Sequence, residues 1–345
     1  MKSELLDNEL RHVDFGPDLD LEGLLDGVLR LATDIDLADP AQREPAALRR
    51  AAAGVAALQV EAVMPELDWD NAAVSLLFQS AELLGYANPA AAWLGLHRVP
   101  ARVAGLPLDT AHVALPQGVP GRWTVWVPDG ESCARDGFAF TDGASWCAHC
   151  LAREGDLTGL GVMTHGLMGF AGAAVIDLCP GDAGAAASGA RKPWSRPGWE
   201  RYRDAQLALL CGILAGICRR LCNEACAYAH TRRSADKPII QHQAVALRVA
   251  DIVLQQQALA LYLADAFKRG GQGRLHGAPA RVSGPCVPYV NQAVFQVARD
   301  AVQVAAAHGY VEGLPFKRLF EQSRTLSSVL AGYGMADFSF LEHTA

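Results

Sequence analysis

The residues with the clearest chemical capacity fall in one run, Tyr228-Ala-His-Thr-Arg-Arg-Ser-Ala-Asp-Lys-Pro-Ile-Ile-Gln-His-Gln243. Arg232, Arg233, Ser234, Lys237 and His242 make it cationic and rich in hydrogen-bond donors. A guanidinium offers a planar fork of N–H groups, and hydroxyl, ammonium and imidazole groups add further donors, so the run suits a phosphate group. A second chemically suggestive set is Cys211, Cys218, Cys222 and Cys226, which share one face of a helical pattern. They read either as a metal stripe or as small packing residues that let a neighbouring helix approach. Cys147-Ala-His-Cys150 resembles half of a zinc site, but no second ligand pair follows at finger or ribbon spacing.

Two long helical patterns must position the cationic run. Before it, Leu207, Leu210, Leu214, Ile217, Leu221 and Ala225 recur at three- and four-residue spacing within 205–228. After it, Val245, Val249, Ile252, Val253, Leu259 and Leu263 carry a second helix from about Ile240. The short polar join predicts antiparallel neighbours, with the cations at their common tip.

The order Tyr-(three)-Arg-Arg-Ser-(two)-Lys-Pro-Ile-(two)-His-Gln resembles the acyl-CoA dehydrogenase family, whose equivalent run reads Arg-x-x-Phe-Gly-x-Pro-Ile-x-x-x-Gln. A second stretch agrees: Asp300-Ala-Val-Gln-Val-Ala-Ala-Ala-His-Gly-Tyr310, with Pro315 and Arg318-Leu319 after it. The resemblance implies a mainly α fold with a small β domain: an N-terminal helical domain (1–107), a middle β-barrel domain with its linker (108–197) and a C-terminal four-helix bundle (198–345). The residue patterns are compatible. Leu21 to Leu31, Leu48 to Val60, and Ala72 to Leu83 give helical faces, with Gly85-Tyr-Ala-Asn-Pro89 as a stop and a short helix from Ala90 to His97. Between about 106 and 195, strand patterns appear at 122–127, 137–141, 159–163 and 174–178, separated by Gly and Pro. Helices return at 293–307 and 316–330, followed by a Gly332-Tyr-Gly334 break.

The family's reaction removes two hydrogens from neighbouring carbons of a thioester. A carboxylate must take the proton beside the carbonyl, and a flavin serves as electron sink. By resemblance Arg232, Ser234 and His242 match contacts to FAD, and Gln303 matches the contact made from a paired subunit. The family's Phe-Gly is Ala235-Asp236 here, and its Gly-Gly is Ala306-Ala307. The usual catalytic Glu falls on Leu330, and the alternative position on the earlier helix is Gln206. Asp204, Glu200 and Glu321 lie near enough in sequence to be relocated bases. The implied function is that of an FAD-dependent flavoprotein subunit that desaturates an acyl-CoA or acyl-carrier-protein thioester. It would form a homo- or hetero-oligomer, a dimer or tetramer, with a related subunit supplying the base. Another enzyme on the same scaffold (oxygenation, cyclisation, elimination or isomerisation) and a noncatalytic partner subunit are the competing expectations.

Composition sets the outer bounds. With 345 residues, 51% hydrophobic and 19% charged, the chain can bury a large core. A net charge of −7 gives no basic excess for nonspecific nucleic-acid binding. The nine cysteines lack framework spacing. No unbroken apolar run reaches ~18 residues, and the first residues are acidic and amphipathic. The expectation is a cytoplasmic protein with no membrane span.

Overall fold

In the computed structural model, residues 21–36, 45–58, 60, 73–105, 110–116, 123–127, 137–140, 147–151, 160–170, 173–180, 191–193, 196–268 and 286–335 are described. Helices α1 (Leu21–Asp34), α2 (Pro45–Ala57), α3 (Val74–Ala87), α4 (Pro89–Leu96) and α5 (Val99–Val103) come first. Strands β1 (Thr110–Pro116), β2 (Trp123–Val127), β3 (Gly137–Phe140), β4 (Cys147–Leu151), β5 (Leu160–Gly166), β6 (Ala174–Pro180) and β7 (Arg191–Pro193) follow. The chain then forms α6 (Arg196–Thr231), the two-residue strands β8 (Arg233–Ser234) and β9 (Lys237–Pro238), α7 (Gln243–Leu263), α8 (Cys286–Ala305) and α9 (Phe316–Met335).

Helix α6 is the centre of the molecule. Leu207, Leu210, Leu214, Ile217 and Leu221 are buried, as their spacing predicts, and so are Leu209, Cys211, Ile213 and Cys218 on its other faces. A helix that is apolar all round must be surrounded. It packs on α3, α4 and α5 on one side and on α7, α8 and α9 on the other. Helices α6 to α9 form the four-helix arrangement implied by the resemblance, with α8 against the other three. By length and composition, Arg201–Thr231 and Gln243–Phe267 are both long and apolar enough to cross a membrane, which the search for unbroken apolar runs missed. In the first, 94% of the apolar window is buried in the bundle; in the second, only 22% is.

Side chains are absent where α3 crosses α6. A Cβ on Gly85 would lie 2.7 Å from the Ile213 Cα, and one on Gly216 would lie 2.3 Å from the Glu82 carbonyl oxygen. Gly85 is therefore a crossing residue inside the helix, and the predicted stop at Gly85–Pro89 takes effect at its far end. The helix continues to Ala87, and Asn88 ends it while accepting the Ala91 N–H of the next helix at 3.2 Å. Gly332 and Gly334 likewise do not break α9. A Cβ on the first would meet the Trp126 ring at 2.3 Å and one on the second would meet Val287 at 2.7 Å, so both permit close packing within the helix.

The strands form one row in the order β5-β6-β2-β1-β3-β4-β7, antiparallel except for the β1–β3 pair. Thr124 on β2 donates to the Asp177 carboxylate on β6 at 2.7 Å, across paired positions. Among the described residues, the end strands β5 and β7 do not pair with each other, so the observed unit is a sheet where a closed barrel was expected. The Cys147–Cys150 pair falls on β4, and its side chains lie outside the described residues, as does Asp142–Trp146.

The α3–α6 crossing makes a direct prediction. Gly216→Ala forces two backbones apart and should destabilise by about 1–3 kcal/mol in urea unfolding. Gly166→Ala, where a Cβ meets nothing within 4 Å, should stay within about 0.5 kcal/mol of the parent.

Candidate functional site

The predicted cationic tip is a tight hairpin. The Arg232 N–H closes α6 on the Tyr228 carbonyl at 2.8 Å, and Arg233 and Ser234 then pair with Pro238 and Lys237. Ala235 and Asp236 form the two-residue turn with φ of 49° and 59°, the left-handed conformation that a type I′ hairpin requires. The Ile239 N–H closes the hairpin on the Arg232 carbonyl at 2.8 Å. Two of the candidate cations help to hold this shape: Arg233 donates to the Asp236 carbonyl, and His242 Nε2 donates to the Ser234 carbonyl at 3.3 Å. Arg232 differs. It is exposed, and its guanidinium has no hydrogen bond or ion pair among the described residues.

Beside Arg232 lies a wide, solvent-open pocket of about 480 Å³, lined also by Tyr228, Thr231, His308, Val311, Gly313 and Leu314. The two motif stretches, distant in sequence, thus share one pocket. Their link is a 2.9 Å hydrogen bond between the Tyr228 hydroxyl and His308 Nδ1. Gln303, exposed on α8, does not line this pocket; its amide donates to the Tyr310 hydroxyl at 3.0 Å. Ala306, at a family glycine position, sits at φ 51°.

The two possible base positions also come together, on facing helices. Leu330 on α9 is fully buried, and Gln206 on α6 is 6% exposed. Gln206 Nε2 donates to the Tyr202 hydroxyl at 2.9 Å, and that hydroxyl lies 3.2 Å from the hydroxyl of Tyr333, one turn beyond Leu330. Trp126 of β2 covers the cluster, its ring 5.8 Å from that of Tyr333. Burial, with the neighbouring Tyr202 adding to it, holds the Tyr333 phenol well above the usual tyrosine range. The cluster is polar, closed and neutral. Of the relocated-base candidates, Asp204 pairs with Arg203 at 3.8 Å, and Glu321 sits half-buried against Gly169 in the β5–β6 turn. The Glu200 side chain lies outside the described residues. Sequence reasoning missed Tyr202, Tyr333 and Trp126; the clue was Gly332, which makes room for an aromatic ring.

All four cysteines of the α6 stripe are free thiols, and no group of three His, Cys, Asp or Glu residues that could hold a metal occurs among the described residues. Burial pushes the Cys218 thiol up to about 12. The Cys222 thiol hydrogen-bonds to Cys226, which raises its own pKa and lowers that of Cys226 to about 7.

Tyr333→Phe removes a buried hydrogen bond and should cost about 1 kcal/mol at neutral pH. Because the folded phenol is raised, its contribution is present below the unfolded value of about 10 and falls as pH climbs past it. The Phe variant should therefore show a shallower loss of stability above pH ~10 in urea titrations. Ala306→Gly should stabilise by about 0.5–1 kcal/mol in the same assay, because it relieves the left-handed backbone at a net entropic cost.

The family model "Acyl-CoA dehydrogenase, C-terminal domain" matches residues 206–332, which include the base positions, the hairpin and the Ala306 turn. A search of curated proteins finds no match. Among solved structures, butyryl-CoA dehydrogenase from Megasphaera elsdenii aligns with a TM-score of 0.53 at 14% identity, covering 93% of this chain and 99% of that one. Podospora anserina nitroalkane oxidase aligns at 0.60 and 14% identity, covering 94% and 97%. A structure described as the electron transferring flavoprotein of Acidaminococcus fermentans aligns at 0.63 and 15%, covering 93% and 98%. At these identities the alignments show a shared fold. Residues 206–332 are thus similar to the acyl-CoA dehydrogenase C-terminal domain, and the chain shares the fold of these proteins.

Proposed function

We propose that this chain is a subunit of an acyl-CoA dehydrogenase-like assembly that desaturates an acyl thioester, carried by coenzyme A or a carrier protein. In this reading it lends its cationic hairpin to an FAD site, while a related partner subunit supplies the catalytic carboxylate. The observation that carries the reading is the contrast between the two ends of α6. At one end Gln206 is closed into a neutral Gln206–Tyr202–Tyr333 chain and Leu330 is fully buried. At the other, Arg232 stands exposed beside a cavity.

The residues present fit the diphosphate end of FAD. An uncommitted guanidinium lines the cavity, and the hairpin adds Lys237 and the Ser234 hydroxyl; the Thr231 hydroxyl is occupied, donating to the Ala227 carbonyl at 2.9 Å. The bound flavin would supply the electron sink. From Gln206 to Thr231 the helix rises roughly 37 Å at 1.5 Å per residue. That is far more than the distance from diphosphate to ring within one flavin, so the hairpin and the closed cluster serve different sites. Arg232 then grips the flavin whose ring lies in the partner subunit. A carbon acid next to the closed cluster would find no carboxylate, and a missing general base alone slows such a step by ~10²–10⁴-fold.

The test is co-expression with whichever dehydrogenase-like chain is encoded beside this one. The assembly should be yellow and should desaturate acyl-CoA, whereas the single chain should do so negligibly. Arg232→Ala should weaken flavin retention by the assembly about 10- to 100-fold, as loss of a hydrogen bond to a charged phosphate does. Brisk desaturation by the single chain would overturn the reading. An assembly without flavin would favour a noncatalytic subunit, which the closed cluster also fits.

A further inference from the structure

Near the end of α6 two thiols lie one helical turn apart on the same face, Cys222 and Cys226, and His230 continues that face by a further turn. Helix α3 covers this side of α6 as far as Tyr86, whose hydroxyl accepts from Asn223 at 3.1 Å. Cys226, one turn beyond Asn223, lies past that cover and is half-buried, whereas Cys222 is 6% exposed. His230 Nδ1 donates to the Cys226 carbonyl at 2.8 Å, which holds the imidazole beside the half-buried thiol. The Cys222 S–H donates to the Cys226 sulfur. That bond and the positive charge of His230 favour the thiolate, and partial burial opposes them. Among the described residues, Cys222 and His230, both on α6, are the titratable groups that act on Cys226 in this way.

We infer that Cys226 is a modification site, an exchange-reactive thiol that takes up a low-molecular-weight disulfide, with Cys222 as its positioning residue. The Cys226 thiolate attacks one sulfur of the small disulfide. A bond forms between that sulfur and Cys226 Sγ, and the original S–S bond breaks. The other half leaves as a thiolate and takes a proton from water, so its sulfur is reduced as Cys226 is oxidised. The thiolate is the reacting form, and a thiol that ionises near the ambient pH exchanges fastest. Cys211 and Cys218 are fully buried on the same helix and have no such access. The adduct persists because Cys222 cannot displace it. Side chains four residues apart on a helix keep their β-carbons about 5–6 Å apart. A disulfide requires about 3.5–4.5 Å, so closing Cys222 on Cys226 would unwind α6 where it is packed. The pair therefore acts as donor and acceptor.

Two measurements on the purified, reduced single chain test it, with oxidised glutathione as the probe. Peptide mass mapping should find one glutathionyl group on Cys226, formed before any on Cys211, Cys218 or Cys222, and no Cys222–Cys226 disulfide. The rate of modification at Cys226, followed against pH, should rise with a midpoint of about 7. Cys222→Ala should move that midpoint up toward the ordinary thiol value of about 8.5. At pH 7 this leaves roughly 15-fold less thiolate, and the greater nucleophilicity of a more basic sulfur reduces the net loss of rate to about 3-fold. Cys222→Ser, whose hydroxyl also donates, should keep the parent's midpoint, which a purely structural role for Cys222 does not require. The inference is overturned by a parent midpoint at or above about 8.5, by an internal Cys222–Cys226 disulfide as the product, or by a midpoint that Cys222→Ala leaves in place. If Cys222→Ala does not fold, the parent's midpoint and product still decide.

Discussion

At the crossing of α3 and α6 the two backbones meet with nothing between them. Gly85 lies on Ile213, Gly212 lies on the Phe78 carbonyl and Gly216 lies on the Glu82 carbonyl. Helices with ordinary side chains at the contact sit 8–10 Å apart, and glycine is what allows a closer seat. The constraint propagates because α6 is one unbroken helix from Arg196 to Thr231. Around the crossing, Arg219 and Arg220 stack on the Tyr86 ring at 5.0 and 5.2 Å, and Arg220 pairs with Asp36 and Glu224 at 2.8 and 2.7 Å. Charges this deep are stabilised only while paired, so they fix the orientation of α6 as well as its position. Both chemically distinctive regions are then placed by one rod: the tyrosine cluster near its start and the hairpin at its end.

The tyrosine cluster is held from the sheet side as well. Gln322 and Thr325 on α9 donate to the carbonyls of Gly169 and Met168 in the β5–β6 turn, at 3.0 and 2.7 Å. Trp93 on α4 meets Phe170 of the same turn edge-on at 5.1 Å. With the sheet bolted to α9 in this way, Trp126 is pressed onto Gly332 and Tyr333. A carboxylate in that enclosure would lose its hydration, whereas a hydroxyl–hydroxyl–amide chain satisfies its own hydrogen bonds. The neutral filling therefore follows from the packing, and a working base there would require the sheet to stand further from the bundle.

Much of this was legible in the sequence, and what was not has definite causes. The buried face of α6 followed from the spacing of Leu207 to Leu221, and the cationic hairpin from its composition, because both are local properties. Leu330 and Gln206 could be named by register, but their juxtaposition needs the packing of α6 on α9. Tyr202 and Tyr333 were invisible as a pair for the same reason. Glycine was misread at Gly332, which looks like a break in a linear pattern and acts as a contact surface in three dimensions; Gly85 is a contact surface too, though the stop it opens does end the helix, at Asn88. Strand β4 was obscured because Cys147-Ala-His-Cys150 invites a metal reading before a strand reading.

The backbone itself carries the last piece of the argument. Among the described residues, the non-glycine residues with positive φ are Ala235, Asp236 and Ala306. All three lie in the two stretches that resemble the family, at positions where the family places Phe-Gly and Gly-Gly. Left-handed backbone at an L-residue costs about 1–2 kcal/mol and persists only where the surroundings over-determine it. Here the β8–β9 pairing and the Ile239-to-Arg232 hydrogen bond impose the turn, whatever side chains occupy it. Loss of the aromatic at 235 thus leaves the path of the chain intact, and with it the placement of Arg232 against the His308–Leu314 segment. The corner thus keeps its turn whatever side chains line it, while at the other end of α6 the Gln206–Tyr202–Tyr333 chain is fixed by packing.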